Sequence, residues 1–226
     1  MTSRTRLNGQ QPDNGRPGIA LSVLCIGLLL AVVAGVLHSV SGIFTSLGPQ
    51  DGVRLRMLRL AQIAGIALPL LACLYEGLMA RDPRDCRLTR WGWSAMLCGM
   101  IGLPSILAVA SLTRIEFKFL LPFPAVAMFA GTLYGASLAR RHARPLEHCG
   151  WLLIALSMAA GLFMGLYAFD GPLPPPAFVG GYNDLVRRVI RQAHAFAIVV
   201  GFISILISRG KETINAHTRL GLGDTS

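Results

Sequence analysis

Charge is what this chain has least of. Only 14% of its 226 residues are charged, and acidic residues number just 11. A soluble domain carries about 25% charged residues, so this chain cannot cover a water-facing surface. Catalytic signatures are missing too. No HExxH, GxSxG or paired-carboxylate pattern occurs, which argues against nucleophilic or metal hydrolysis. The five cysteines include no CxxC spacing, so neither a disulfide framework, a zinc site nor a CxxCH haem attachment is indicated.

What the chain has instead is hydrocarbon, with 53% hydrophobic residues and a mean hydropathy of +0.56. The apolar residues come in blocks, at roughly Gly18–Phe44, Leu58–Met79, Trp91–Leu112, Phe119–Ala139, Trp151–Phe169 and Leu185–Ile207. Each block meets the ~20-residue requirement of a helix crossing a bilayer core. The expected fold is therefore all-α, a polytopic six-transmembrane-helix bundle in a bacterial inner membrane. Residues 1–17 form a flexible cytoplasmic tail, 18–209 the transmembrane domain and 210–226 a second cytoplasmic tail. The first block is about twice the length of a signal-peptide core and has no small-x-small cleavage site after it, so it is expected to be a retained helix.

Basic residues set the expected topology. Arg4, Arg6, Arg16, Arg81, Arg84, Arg87, Arg90, Arg140, Arg141, Arg144, Arg209, Lys211 and Arg219 fall on one side. The other side holds fewer: Arg54, Arg56, Arg59, Arg114, Lys118, Arg187, Arg188 and Arg191. The positive-inside rule then places both termini in the cytoplasm, N-in and C-in. The net charge of +10 reflects this topology and the pull of anionic lipid heads on basic loops. Nucleic acid is not an expected partner, because the arginines are scattered over short loops.

Two outer loops are expected, Thr45–Met57 and Asp170–Asp184. The second contains the proline run Pro172-Leu173-Pro174-Pro175-Pro176 and ends at Asp184, a candidate helix N-cap. Gly131-x-x-x-Gly135 and Gly161-x-x-x-Gly165 predict close helix approaches. The prolines at 69, 104, 122 and 124 predict kinks or helix starts. Trp91, Trp93 and Trp151 are placed at the headgroup level as anchors. Glu76 is the acidic residue well inside a span, where it either snorkels toward the Arg81–Arg90 cluster or handles protons with Tyr75.

Of the five histidines, His38 and His194 alone fall within spans. A histidine in hydrocarbon either bonds between helices or serves a ligand. At about 100° per residue, Gly27, Ala31, Ala34, Gly35, His38, Ser41 and Gly42 share one stripe of span one. Apart from His38 its members are small, which admits a close helix or a flat ligand. In span six Arg187, Arg191, His194, Ile198 and Gly201 share a face. Both histidines lie toward the outer side, at compatible depths. A b-type haem uses such a set: two axial imidazoles, clearance for the macrocycle, and cations for its propionates. His38 and His194 are the candidate iron ligands, and Arg187 and Arg191 the candidate propionate partners, for electron transfer. A quinone bound by histidine and arginine is an alternative. So are a small transporter and a non-catalytic structural or assembly subunit of a membrane complex. The simplest alternative is an ordinary interhelical hydrogen bond at each histidine.

The segment Arg187-Arg188-Val189-Ile190-Arg191-Gln192-Ala193-His194-Ala195-Phe196 resembles the Arg-x-x-Arg-x-x-His entry to the last helix of small bacterial membrane proteins. Those proteins are distantly similar to haem-copper oxidase subunit I and to NnrS-type haem proteins. The resemblance covers about 20 residues and implies a haem-binding role for His194 only. The chain departs from that pattern in having no His-His pair, no His-x-x-x-Tyr and half the usual twelve helices, so oxygen reduction is not implied.

Overall fold

In the computed structural model the structure describes residues 49–81, 87–167 and 184–221, with a few positions between 173 and 179. These residues form five long α-helices and one short 3-10 helix. We number them α1 (Pro49–Met79), α2 (Arg87–Leu112), α3 (Pro122–Arg141), α4 (Pro145–Gly165) and α5 (Leu185–Gly221); the 3-10 helix, Ile115–Leu120, precedes α3. Predicted span one, with His38 and its stripe of small residues, lies outside the described residues, as does the 1–17 tail.

Five stretches are long and apolar enough to cross a membrane: Gly52–Met79, Arg87–Leu112, Ile115–Arg141, Pro145–Gly165 and Leu185–Lys211. Their outward flanks are apolar. Phe123 is 71% exposed, Leu156 67% and Phe196 70%. Such a surface suits hydrocarbon rather than water.

Helices consecutive in sequence pack against one another, so the chain runs back and forth through the bundle. One end carries the C-termini of α1 and α3, the N-termini of α2 and α4, and Arg209 of α5; we call it the Arg209 end. The other, the Lys118 end, carries the 3-10 helix and the start of α5. The main core lies toward the Arg209 end. There Tyr75 of α1 stacks on Trp93 of α2 (6.0 Å between ring centroids) and meets Trp151 of α4 edge-on at 5.8 Å. Leu71, Met96, Met128, Leu138 and Ile154 fill the space around them.

Glycines set how close the helices come. A Cβ on Gly131 of α3 would stand 3.1 Å from the Met96 backbone nitrogen of α2, and one on Gly135 3.0 Å from the Trp151 ring. Gly150 and Gly201 face each other across α4 and α5, each with a Cβ position 2.8 Å from the other's carbonyl oxygen. Helix backbones in contact like this are what small-residue seams permit. The turn from α3 to α4 is tight. Arg144 N–H bonds the Ala139 carbonyl and Ala143 N–H the Arg140 carbonyl. Ala143 sits there at φ 54°, the left-handed position that usually falls to glycine in such a helix stop.

Several boundaries differ from the hydropathy reading. The expected loop Thr45–Met57 is helical from Pro49, and Met57 is fully buried. Hydropathy missed this because Arg54, Arg56 and Arg59 interrupt the run. Two of these arginines are accommodated locally: Arg56 donates to the Gly52 carbonyl one turn back, and Arg54 to the Thr113 carbonyl of the 3-10 approach. Helix α5 continues to Gly221, so the expected 210–226 tail is helical over most of its length. Helix α4 begins at Pro145 rather than Trp151 and ends at Gly165 rather than Phe169. Trp151 is therefore not a headgroup anchor but a fully buried core residue, whereas Trp91 is exposed. Pro122 and Pro124 mark the start of α3, while Pro69 and Pro104 lie inside α1 and α2. The Asp184 carbonyl accepts the Arg188 N–H at 3.0 Å, which puts Asp184 at the N-cap of α5.

Candidate functional site

His194 stands nine residues into α5, about 14 Å from the helix start at ~1.5 Å per residue. It faces α4. Its Nδ1 lies 2.7 Å from the Ser157 carbonyl oxygen and 2.8 Å from Ser157 Oγ. Ser157 Oγ in turn donates to the His194 carbonyl at 2.8 Å. These contacts assign the protons. The serine hydroxyl hydrogen goes to the His194 carbonyl, so Nδ1 must be the donor to Ser157. The neutral imidazole is then the Nδ1–H tautomer, with the lone pair on Nε2. An Nδ1–H bonded to a backbone carbonyl is also the arrangement that orients metal-ligating histidines.

The Cε1 edge of the ring lies against Gly161, one turn along α4 from Ser157. A Cβ at Gly161 would stand 2.9 Å from Cε1 and 3.5 Å from Nε2. One further turn on, Gly165 meets nothing within 4 Å of its Cβ position. The second Gly-x-x-x-Gly motif thus does two jobs: Gly161 seats the imidazole, and Gly165 leaves space.

That space is a cavity of about 400 Å³ in the half of the bundle nearer the Lys118 end. Its walls come from Leu60, Ile63 and Ala67 of α1, Leu103 and Leu107 of α2, Pro122 and Ala125 of α3, and Met158, Gly161 and Gly165 of α4, with His194 and Ile198 of α5. Lys118 and Phe119 of the 3-10 helix also line it. Among the described lining residues, His194 and Lys118 alone have polar side chains. A cavity of this size, apolar with a few polar groups, has the make-up of a small-molecule site.

The two expected propionate partners sit elsewhere on α5. Arg187 is buried, donates to the Tyr167 carbonyl at 3.2 Å and lies 5.3 Å from the Tyr167 ring centroid. It closes off the C-terminal end of α4, whose last carbonyls have no helical partner. Arg191 lies one turn from His194, and neither arginine is among the residues lining the cavity. The described residues contain no group of three or more His, Cys, Asp or Glu arranged around a metal position. Glu76 is half-buried in the last turn of α1.

The acidic residue the structure does use is Glu147, which the sequence reading left outside span five. It is fully buried in the first turn of α4. Arg209 Nη2 and Nε of α5 meet its Oε1 at 2.8 and 3.0 Å, and Arg144 Nη1 meets Oε2 at 3.1 Å. Arg209 Nη2 also donates to the Leu74 carbonyl of α1, and the guanidinium lies against Gly77. One arginine therefore joins α1, α4 and α5 at the Arg209 end, whereas toward the Lys118 end residues of α1 and α5 both line the cavity. The available signal was Pro145 followed by Glu147, a proline and an acid at a helix start. In the sequence Lys118 is only one of the outer charges, and nothing local ties it to His194, 76 positions away. Comparison of the chain with protein-family models, curated proteins and solved structures finds no match.

Proposed function

We propose that this chain is a six-helix protein of a bacterial inner membrane, with both termini in the cytoplasm, that holds a b-type haem for electron transfer. The haem would lie toward the periplasmic face, ligated by His194 and by His38 of span one. The observation that carries the proposal is the state of His194. Its Nδ1–H is engaged by Ser157, and its Nε2 makes no protein hydrogen bond among the described residues. It sits beside Gly161 on the wall of an apolar cavity. A lone pair on Nε2 suits a metal or a hydroxyl donor, and it does not suit a quinone carbonyl, which needs a donor. The basic residues near Met79, Arg141 and Arg209 support the cytoplasmic assignment of that end. The resemblance of residues 187–196 to the last-helix entry of small bacterial membrane proteins, themselves distantly similar to haem proteins, supports the same reading. A bound haem would supply one-electron chemistry, with axial-ligand identity and the apolar surroundings setting its potential.

The second reading is a structural or assembly subunit, and the reciprocal Ser157–His194 bonds favour it specifically. Two hydrogen bonds exchanged between α4 and α5 are sufficient to account for a histidine at that position. The two readings separate in the absorption spectrum of the protein purified from cells well supplied with haem. The haem reading predicts a Soret band and a sharpened α-band on dithionite reduction, with the low-spin signal lost in His38→Ala and in His194→Ala. A spectrum without a Soret band leaves the structural reading. A low-spin signal unchanged in either variant breaks the His38–His194 pairing.

A further inference from the structure

The cavity's second polar residue points to the charge of its occupant. The geometry points to Lys118 as the group that holds a carboxylate on an otherwise apolar ligand, so that this cavity selects anionic amphiphiles. This rests on reading the cavity as a ligand site and not on the ligand being haem.

Lys118 is one of only two lysines in a chain whose other basic residues are all arginine. It lies in the 3-10 helix between α2 and α3, half-buried, with Nζ 5.3 Å from the Phe119 ring centroid. Lys118 and Phe119 both line the cavity, where the 3-10 helix joins α2 to α3. A lysine can bury its apolar stem along such walls while its ammonium keeps to more polar surroundings. An ammonium in that place is strongly attractive to a carboxylate, because water screens the pair less there than in bulk. The walls between Lys118 and His194 are apolar, so the ligand that matches them has a long or flat apolar body with an acid at one end. A haem propionate and a lipid carboxylate both offer this chemistry. Arg187 donates to the Tyr167 carbonyl and does not line the cavity.

The test compares acids with their esters in nanodiscs of zwitterionic lipid. The probes are haemin, haemin dimethyl ester, a fluorescent long-chain fatty acid and its methyl ester. We expect at least one acid to bind about tenfold tighter than its ester. That gap should vanish in Lys118→Gln and persist in Lys118→Arg. A gap for haemin alone identifies a tetrapyrrole acid. A gap for the fatty acid alone identifies a lipid acid and removes the haem reading while Lys118 keeps its role. Equal binding of acid and ester for both pairs, or a gap that survives Lys118→Gln, overturns the proposal.

Discussion

Ser157 is the residue on which the state of His194 depends. Its carbonyl and hydroxyl both reach Nδ1, and its hydroxyl hydrogen is committed to the His194 carbonyl. The carbonyl survives any substitution, so Ser157→Ala removes only the hydroxyl. That loses the bond to the His194 carbonyl and one of the two contacts to Nδ1, each worth about 0.6 kcal/mol and at most about 1.7 kcal/mol in membrane proteins. The expected outcome is a folded protein with a small drop in melting temperature in detergent. If the protein holds haem as proposed, its low-spin signal should persist, because the Ser157 carbonyl still holds the tautomer. Loss of that signal in Ser157→Ala would show that the hydroxyl, not the carbonyl, orients the ring. Of this arrangement the sequence disclosed His194 and its face on the helix. It did not disclose Ser157, because a serine 37 positions away becomes a partner only when α4 and α5 are laid side by side.

At the scale of elements, the two Gly-x-x-x-Gly motifs look alike in sequence and act differently. Gly131 and Gly135 both sit against a neighbouring helix, whereas Gly161 seats His194 and Gly165 borders open space. A close seam of backbone on backbone involves a pair that carries no such motif, Gly150 and Gly201. An added methyl at Gly201 would meet Ile154 Cγ1 at 2.5 Å and the Gly150 carbonyl at 2.8 Å. Gly201→Ala should therefore cost about 1–3 kcal/mol through overpacking, read as a lower unfolding midpoint in detergent. Gly165→Ala should leave the midpoint unchanged, and equal losses in the two variants would contradict the seam. Element existence and type were legible from hydropathy for the five described spans, because each has an uninterrupted apolar stretch. Their ends were not. Charged residues mask helix where they bond back along it, as Arg56 does to Gly52, or pair within the bundle, as Glu147 does with Arg209.

For the whole molecule, the polar cluster at one end and the apolar cavity nearer the other define a polarity that the helices alone do not. Glu147 is fully buried, and its two arginines are 15% and 19% exposed. Removing one member leaves a buried charge short of partners. Arg209→Ala should cost about 3 kcal/mol, because it breaks two contacts to Glu147 and one to Leu74. Arg144→Ala should cost no more than about 1 kcal/mol, since its pair is a local one within a single turn. Equal losses in thermal unfolding would deny Arg209 its place as the residue joining three helices. The central claim concerns the opposite half of the bundle, where His194 offers Nε2 to a ligand in the cavity. It is tested most directly by absorption spectra of His194→Gly with and without added imidazole. The account predicts that the low-spin haem signal of the parent protein is lost in the variant and restored when imidazole enters the space beside Gly161. A parent protein that takes up no haem, or a variant whose signal is intact without imidazole, would contradict it.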